Sequence, residues 1–236
     1  MLIGGIIAAG HGSRFKKSGF PQTKPLIKVG GRELLGRTVS QFQEAGIERI
    51  RIIFRSGNCS ACSHYLIENF PQMRFDIICR DTETSAESFL SLLEDAKDHE
   101  EEQLLITTVD SIFSPGAFKK FINKAKEMDS GQVILGVTRF VDDEKPLYVT
   151  IDQEDGETIT KIGGQSGDAV TCGVYLMPTR ARLEAKNNKF SALRALLGHL
   201  FEAGIPFKAI DMGTVIDVDR PEDITTAEAF LAKSAS

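Results

Sequence analysis

"IIAAGHGSRFKKSGFPQTKPL", residues 6–26, sets three glycines, one arginine and three lysines directly behind an apolar run. Glycine lets backbone N–H groups approach a ligand closely, and arginine or lysine beside them adds charge, so the segment suits an anion, phosphate first of all. A strand, a glycine loop and a helix in this order also form the layout of dinucleotide binding. That fingerprint fails here, because Gly10 and Gly12 are followed by Phe15 where a third small residue is needed for close helix packing. The G-x-x-x-x-G-K-[ST] phosphate loop fails as well, since none of Gly5, Gly10 and Gly12 begins that spacing. A tight turn beside a solvated basic cluster is the alternative for the glycines alone.

Outward from the loop, strand and helix signals alternate. "LIGGIIA" reads as a buried strand, and "RELLGRTVSQFQEAG" places Leu35, Val39 and Phe42 on one helical face with Gly46 as its stop. "RIRIIF", "CSHYLIENF", "RFDIIC", "SAESFLSLLEDA", "QLLITTV", "PGAFKKFINKAKEM" and "QVILGV" continue the alternation, with "DHEEEQ" a charged turn. "PLYVTID" and "ETITKI", joined by the turn "QEDG", predict a hairpin inserted after the parallel run. A strand "AVTCGVYLM", a helical "SALRALLGHLFEAG", a strand "FKAIDM", the loop "GTVIDVDRPED" and a terminal helix follow. Without repeats or a low-complexity linker, the pattern predicts one Rossmann-like α/β domain over residues 1–236, with a mixed, mainly parallel sheet and helices on both faces.

Composition agrees with one large domain: 236 residues, 42% hydrophobic and 26% charged. A net charge of -5 and a pI near 5.5 oppose nucleic acid and anionic lipid, so any anion site must be local. Apolar runs such as "MLIGGIIAAG" are too short to span a bilayer, and no basic flank with a cleavage site marks a signal peptide, which predicts a cytoplasmic protein. Four cysteines are too few for a disulfide scaffold, in keeping with a reducing compartment.

"AAGHGSRF", then Lys24 ten positions after Arg14 within "TKPLIKVGGRELL", resembles the N-terminal signature of the sugar-phosphate nucleotidyltransferases, A-A-G-x-G-x-R, a spacer, P-K-P-L and G-G-K-P-L-L. "TSAESF" is similar to that family's G-T-A segment beside the nucleotide, and "LLITTVDSIF" to its strand ending in the metal aspartate. "AVTCGVYLM" and "VIDVDRPEDI" resemble the late strand beside the sugar site and the D-x-x-x-P-E-D ending. Two positions depart from the pattern: Thr23 stands for the proline before the lysine, and Val109 for the glycine before the aspartate.

The resemblance implies transfer of a nucleotidyl group from a nucleoside triphosphate to a sugar 1-phosphate, with Mg²⁺ and release of pyrophosphate. Ala8, Ala9, Gly10 and Gly12 would cradle the triphosphate, Arg14 would serve the departing phosphates and Lys24 the reacting ones, with Ser85 and Ala86 near the base and ribose. Asp110 and Asp217 are the implied metal ligands, Lys161 the implied holder of the sugar phosphate, and Gly173 the implied space for the sugar. These assignments suit the chemistry, because two anionic substrates must be brought together, aligned and neutralised. Local alternatives stay open. Asp110 would also serve as a turn or cap residue near Pro115, Lys161 as a solvated strand end, Gly173 as a bulge, and Ser85 and Ala86 as a helix start. Asp219 competes with Asp217, although in an extended segment the two would face opposite ways, and it is also an N-cap candidate for the helix begun by Pro221. His11 is given no acid or base role, because the incoming phosphate is already ionised.

Three other functions compete with this one. A molybdopterin nucleotidyltransferase shares the A-A-G-x-G-x-R start and the D-x-D-x-P-E-D ending. Cys59 and Cys62, spaced C-x-x-C with His64 nearby, suit a redox dithiol, although no second pair completes a zinc site. A non-catalytic nucleotide or sugar-phosphate sensor would share the fold but not need Arg14, Lys24, Asp110 and Asp217 together. The nucleobase, the sugar and the oligomeric state are not legible in the sequence.

Overall fold

The computed structural model describes residues 2–94, 103–141, 145–186 and 188–234. The charged turn expected over "DHEEEQ" lies outside them up to residue 102. β1 (Leu2–Ala8) leads through the glycine loop into a five-residue helix, α1 (Ser13–Lys17), and a single 3-10 turn over Lys24–Leu26. A small hairpin, β2 (Lys28–Val29) and β3 (Arg32–Glu33), then precedes α2 (Leu34–Glu44). β4 (Arg49–Phe54), α3 (Ser56–Asn69), β5 (Arg74–Cys79), α4 (Ser85–Glu94) and β6 (Gln103–Thr108) follow in alternation. Next come β7 (Ser111–Phe113), α5 (Ala117–Lys126), β8 (Val133–Thr138), the hairpin β9 (Tyr148–Ile151) and β10 (Ile159–Ile162), and β11 (Ala169–Met177). The chain closes with α6 (Thr179–Ala185), α7 (Leu193–Glu202), β12 (Phe207–Asp211), β13 (Val215–Asp217) and α8 (Pro221–Ser234).

The expected architecture is present. β5, β4, β1 and β6 lie side by side and parallel, β11 breaks the run by pairing antiparallel with β6 and β8, and β12 extends the sheet parallel to β8. The hairpin β9–β10 attaches to the outer end of β11, as its turn residues predict. Alternation along each strand feeds two cores. Ile50, Ile52 and Phe54 of β4 pack with α2, α3, α5 and α8, whereas Ile53, like Leu104 and Ile106 of β6, packs with α4, α6 and α7. No described helix is long and apolar enough to cross a membrane.

This topology decides where ligands gather. Strand order reverses at β1, which has β4 on one side and β6 on the other, and in open α/β sheets such a switch point opens a crevice at the carboxyl ends. The glycine loop leaves β1 and Asp110 follows β6, so two parallel neighbours deliver both segments to one end of the sheet.

Candidate active site

Ala8 and Ala9 are buried where β1 ends, Gly10 is exposed, and Gly12 adopts φ +56° as α1 begins. A side chain at Gly12 would be strained by that dihedral and would meet the Lys24 Cβ at 3.2 Å. The glycine is therefore what lets the loop lie against Lys24. Lys24 opens the 3-10 turn, anchored by the buried Pro25, and its side chain is only 10% exposed.

The Lys24 ammonium stands between two carboxylates, 2.5 Å from Asp110 Oδ2 and 2.5 Å from Asp219 Oδ1. Burial by itself would lower its pKa, but Asp110 and Asp219 outweigh burial and hold it above the ordinary lysine value. Asp110 is half-buried, and the desolvation pushes its carboxyl up, yet the Lys24 charge and hydrogen bonds from Lys24 and Thr108 hold it below the usual range. Short strands bring the third carboxylate in. β13 pairs antiparallel with β7, setting Asp217 opposite Ser111, and Val218 N–H donates to the Asp110 carbonyl at 3.0 Å. Ser111 Oγ donates to Asp217 Oδ1 at 2.6 Å and lies 2.7 Å from Thr108 Oγ1. Burial first, and the neighbouring Asp110 charge second, raise Asp217 to about 7.

Asp219 corrects two expectations. It does not face away from Asp217, since both line one cavity, because the extended strand stops at Asp217 and the chain turns before α8. Nor does it cap α8: the Asp223 carboxylate instead accepts the N–H groups of Asp219 and Arg220 at 2.8 and 2.7 Å. That leaves the Asp219 side chain to reach Lys24, and Arg14 Nη1 lies 3.7 Å from its other oxygen. The cavity measures about 600 Å³, with Arg14, Lys145 and Arg220 among its charged lining and Phe140 on its apolar wall.

The remaining candidates are spread more widely. Ser85 and Ala86 open α4, where the Ser85 hydroxyl accepts the Leu193 N–H at 3.2 Å and Ala86 is buried, so both have packing duties. Lys161 is exposed on β10, its ammonium beside Gly164, and lies outside the cavity lining. Gly173 sits at a register shift of β11 with φ +81°, and a Cβ there would meet Thr108 Oγ1 at 2.5 Å and Ser111 Oγ at 2.6 Å. It is a bulge glycine, and its missing side chain leaves room for the hydroxyl pair that orients Asp217.

Sequence reasoning passed over Ser111, Thr108 and a cluster at the loop's other flank. Arg55 at the end of β4 lies 3.3 Å from His11 Nε2, ion-pairs with Asp81 at 3.3 Å and donates to the Thr82 carbonyl at 3.4 Å. Its position directly after "RIRIIF" was the available signal, because a charged residue ending a buried parallel strand faces the ligand end. The cysteines pair differently from the C-x-x-C spacing: Cys59 is bonded to Cys79, joining α3 to β5, while Cys62 is buried with its thiol pushed up to about 11 by burial. A raised thiol is a poor nucleophile, and exposed His64 pairs with Glu68 one turn on, so neither a redox dithiol nor a metal pair forms at 59–64.

The model of the MobA-like NTP transferase domain matches residues 4–169. Over 231 residues the chain is 24% identical to the "Bifunctional IPC transferase and DIPP synthase" of Aquifex aeolicus, and over 232 residues 27% identical to the protein of that name from Archaeoglobus fulgidus. Each comparison covers 98% of this chain but 52% and 44% of the relative, so the chain spans about half the length of these curated relatives. Among solved structures, the inositol-1-phosphate CTP transferase from T. maritima superposes with a TM-score of 0.80 at 21% identity, covering 99% of this chain and 96% of that one. A putative glucose-1-phosphate thymidylyltransferase from Bacillus anthracis, in complex with a sucrose, gives 0.82 at 17% identity, covering 98% and 95%. The fold resemblance thus runs the length of the chain, and the family match contains both the glycine loop and Asp110: the chain belongs to the MobA-like NTP transferase domain family, a nucleotidyltransferase family.

Proposed function

We propose that this chain transfers a nucleotidyl group from a nucleoside triphosphate to a sugar 1-phosphate or a cyclitol 1-phosphate, releasing pyrophosphate. The observation that carries the proposal is Lys24, buried between Asp110 and Asp219 beside the glycine loop and next to a cavity that Arg14 and Asp217 line. An acceptor phosphate oxygen attacks the α-phosphorus, the α–β bridging P–O bond breaks and its electrons leave with pyrophosphate. No covalent enzyme intermediate or base is required, because the acceptor is already ionised. The protein's part is alignment and charge stabilisation.

Ala8, Ala9, Gly10 and Gly12 carry the backbone that receives the triphosphate, with Arg14 on the leaving phosphates. Lys24 exchanges carboxylate oxygens for those of the reacting phosphates. Ser85 and Ala86 stand toward the base and ribose, and Arg55 flanks the glycine loop beside His11. Gly173 does not line the acceptor cavity and acts on it indirectly, by leaving room for the Thr108 and Ser111 hydroxyls that orient Asp217, whereas Lys145 and Arg220 line the cavity that Lys161 does not reach.

Among the described residues no three or more His, Cys, Asp or Glu side chains converge as a ready cage for a metal. Asp110 and Asp217 nevertheless fit Mg²⁺, which takes one or two carboxylates and completes its shell with phosphate oxygens and water. Their mutual repulsion, visible in the raised Asp217, is what a cation there removes. Mg²⁺ bound by them would polarise the α-phosphate and neutralise developing charge.

The names of the relatives select the first substrates, CTP and inositol 1-phosphate. Pyrophosphate release is measured with each of five common nucleoside triphosphates and Mg²⁺ against inositol 1-phosphate and a panel of sugar 1-phosphates, with molybdopterin in a separate arm. Release that needs one triphosphate and one phosphorylated acceptor is expected. Silence with every sugar and cyclitol phosphate would overturn the acceptor class, and release with molybdopterin alone would replace it.

A further inference from the structure

A second cavity, of about 160 Å³, lies among α2, β7, the start of α5 and α8, and shares no lining residue with the acceptor cavity. Its charged lining is unbalanced: Arg32, Arg37 and Lys119 against one acid, Glu44. Arg37 is held in place by two hydrogen bonds from its guanidinium to the Val29 carbonyl, and Arg32 donates to the Ser40 hydroxyl. These contacts orient the two guanidinium groups without neutralising them. Glu228 is the other acid near Arg37, and one of its oxygens already accepts the Gly30 N–H. Burial first, and then the neighbouring Arg32 charge, lower the Arg37 pKa, so the crowding of like charge is felt by the group itself. Buried Gln41 Oε1, also in the lining, has no hydrogen-bond partner.

We infer that this cavity is a second anion site, taking inorganic phosphate or the phosphate of a small ester. The two guanidinium groups held by Val29 and Ser40, with the exposed Lys119 ammonium beside them, supply donors for a phosphate. The volume is far below that of a usual cofactor cleft, so a nucleoside triphosphate is not its occupant. Ile112 and Phe113 of β7 form part of the opposite wall. An occupant therefore packs against the strand that also carries Ser111, the hydroxyl that holds Asp217.

The test is a titration of the ¹⁵N-labelled chain with inorganic phosphate, followed by amide shifts, with ionic strength kept constant by sodium chloride. Saturable shifts are expected at Ser40, Gln41, Ser114 and Lys119, and they persist in Lys24→Ala, which separates them from binding at the glycine loop. Arg32→Ala combined with Lys119→Ala weakens this binding by about tenfold or more, with the remaining spectrum intact. Lys119→Glu, a charge reversal at an exposed position, weakens it without touching the core. Shifts confined to residues 10–14, no shifts at all, or unchanged affinity in both variants would overturn the site.

Discussion

Two lysine–aspartate clusters in this molecule are built from the same groups and do different things. On the hairpin side, Lys208 of β12 donates to Asp155 Oδ2 at 2.9 Å and Thr158 Oγ1 at 2.8 Å. Asp155 also accepts the N–H groups of Glu157 and Thr158, both at 2.8 Å, and the Thr158 hydroxyl. Hydrogen bonds from Thr158, then Lys208 and the Glu157 N–H, hold the Asp155 carboxyl well below its usual range, although it lies at the surface. Every charge there is satisfied locally, and the cluster pins a turn. At the carboxyl end of the sheet, Lys24 faces Asp110, Asp219 and, nearby, Asp217, with Asp110 half-buried and Asp217 open to the cavity. Lys24, with Arg14 3.7 Å from the second Asp219 oxygen, does not balance three carboxylates. The proposed catalytic cluster is thus distinguished by an electrostatic imbalance that a cation and a polyphosphate would correct, and the hairpin cluster by the lack of one.

The largest effect should come from removing the cation at the centre of that imbalance. Lys24→Ala leaves Asp110 and Asp219 without their shared partner, so turnover should fall by about 10³-fold, and the unfolding midpoint should drop as half-buried Asp110 loses its countercharge. Pyrophosphate release and urea unfolding read the two effects, and near-normal turnover would remove Lys24 from the reaction.

Asp217→Asn separates stability from activity. Because folding raises the Asp217 pKa to about 7 from an ordinary 3.8, the folded state holds a proton that the unfolded chain releases, and the cost of this carboxylate grows as pH rises between those values. In chelator-treated protein the variant should gain stability over the parent through that window, with a constant gap above it. Its turnover should nonetheless fall by about 10²-fold. A gap that does not change with pH would mean that Asp217 is ionised throughout.

Gly173→Ala should have a smaller effect, costing about 1–3 kcal/mol through its positive φ and displacing the Thr108 and Ser111 hydroxyls. The accompanying loss of turnover should exceed that of Gly213→Ala, also at positive φ but with open space where the Cβ would go. Equal losses would leave Gly173 with a purely conformational role. Smallest of all, Lys208→Ala should leave turnover within about twofold of the parent, because its partners keep their backbone hydrogen bonds and the turn lies away from the cavity. A large loss there would erase the distinction between the clusters.

Much of this was legible before any coordinate. Apolar runs such as "RIRIIF" and "AVTCGVYLM" coincide with β4 and β11 because a strand covered on both faces is mostly apolar, although β4 also buries Arg51, whose guanidinium donates to the Leu92 carbonyl at 2.6 Å. α6, β7 and β13 were not read, being too short for a periodic pattern to stand out. Gly12 and Lys24 share one short segment, so their relation could be anticipated. The link between Lys24 and Asp219 spans 195 positions, and no local pattern encodes it.

The sequence by itself determined the alternation of strands and helices, the glycine loop and the identity of the charged residues available to it, since these follow from local periodicity and from the backbone freedom of glycine. Only the tertiary structure decided which aspartate meets Lys24, which one is left raised by burial beside Asp110, and that Cys59 joins Cys79 rather than Cys62. The reason is physical. Desolvation and charge pairing depend on distance and burial, and in this chain those were set by β13 folding back on β7 and by β5 lying beside β4.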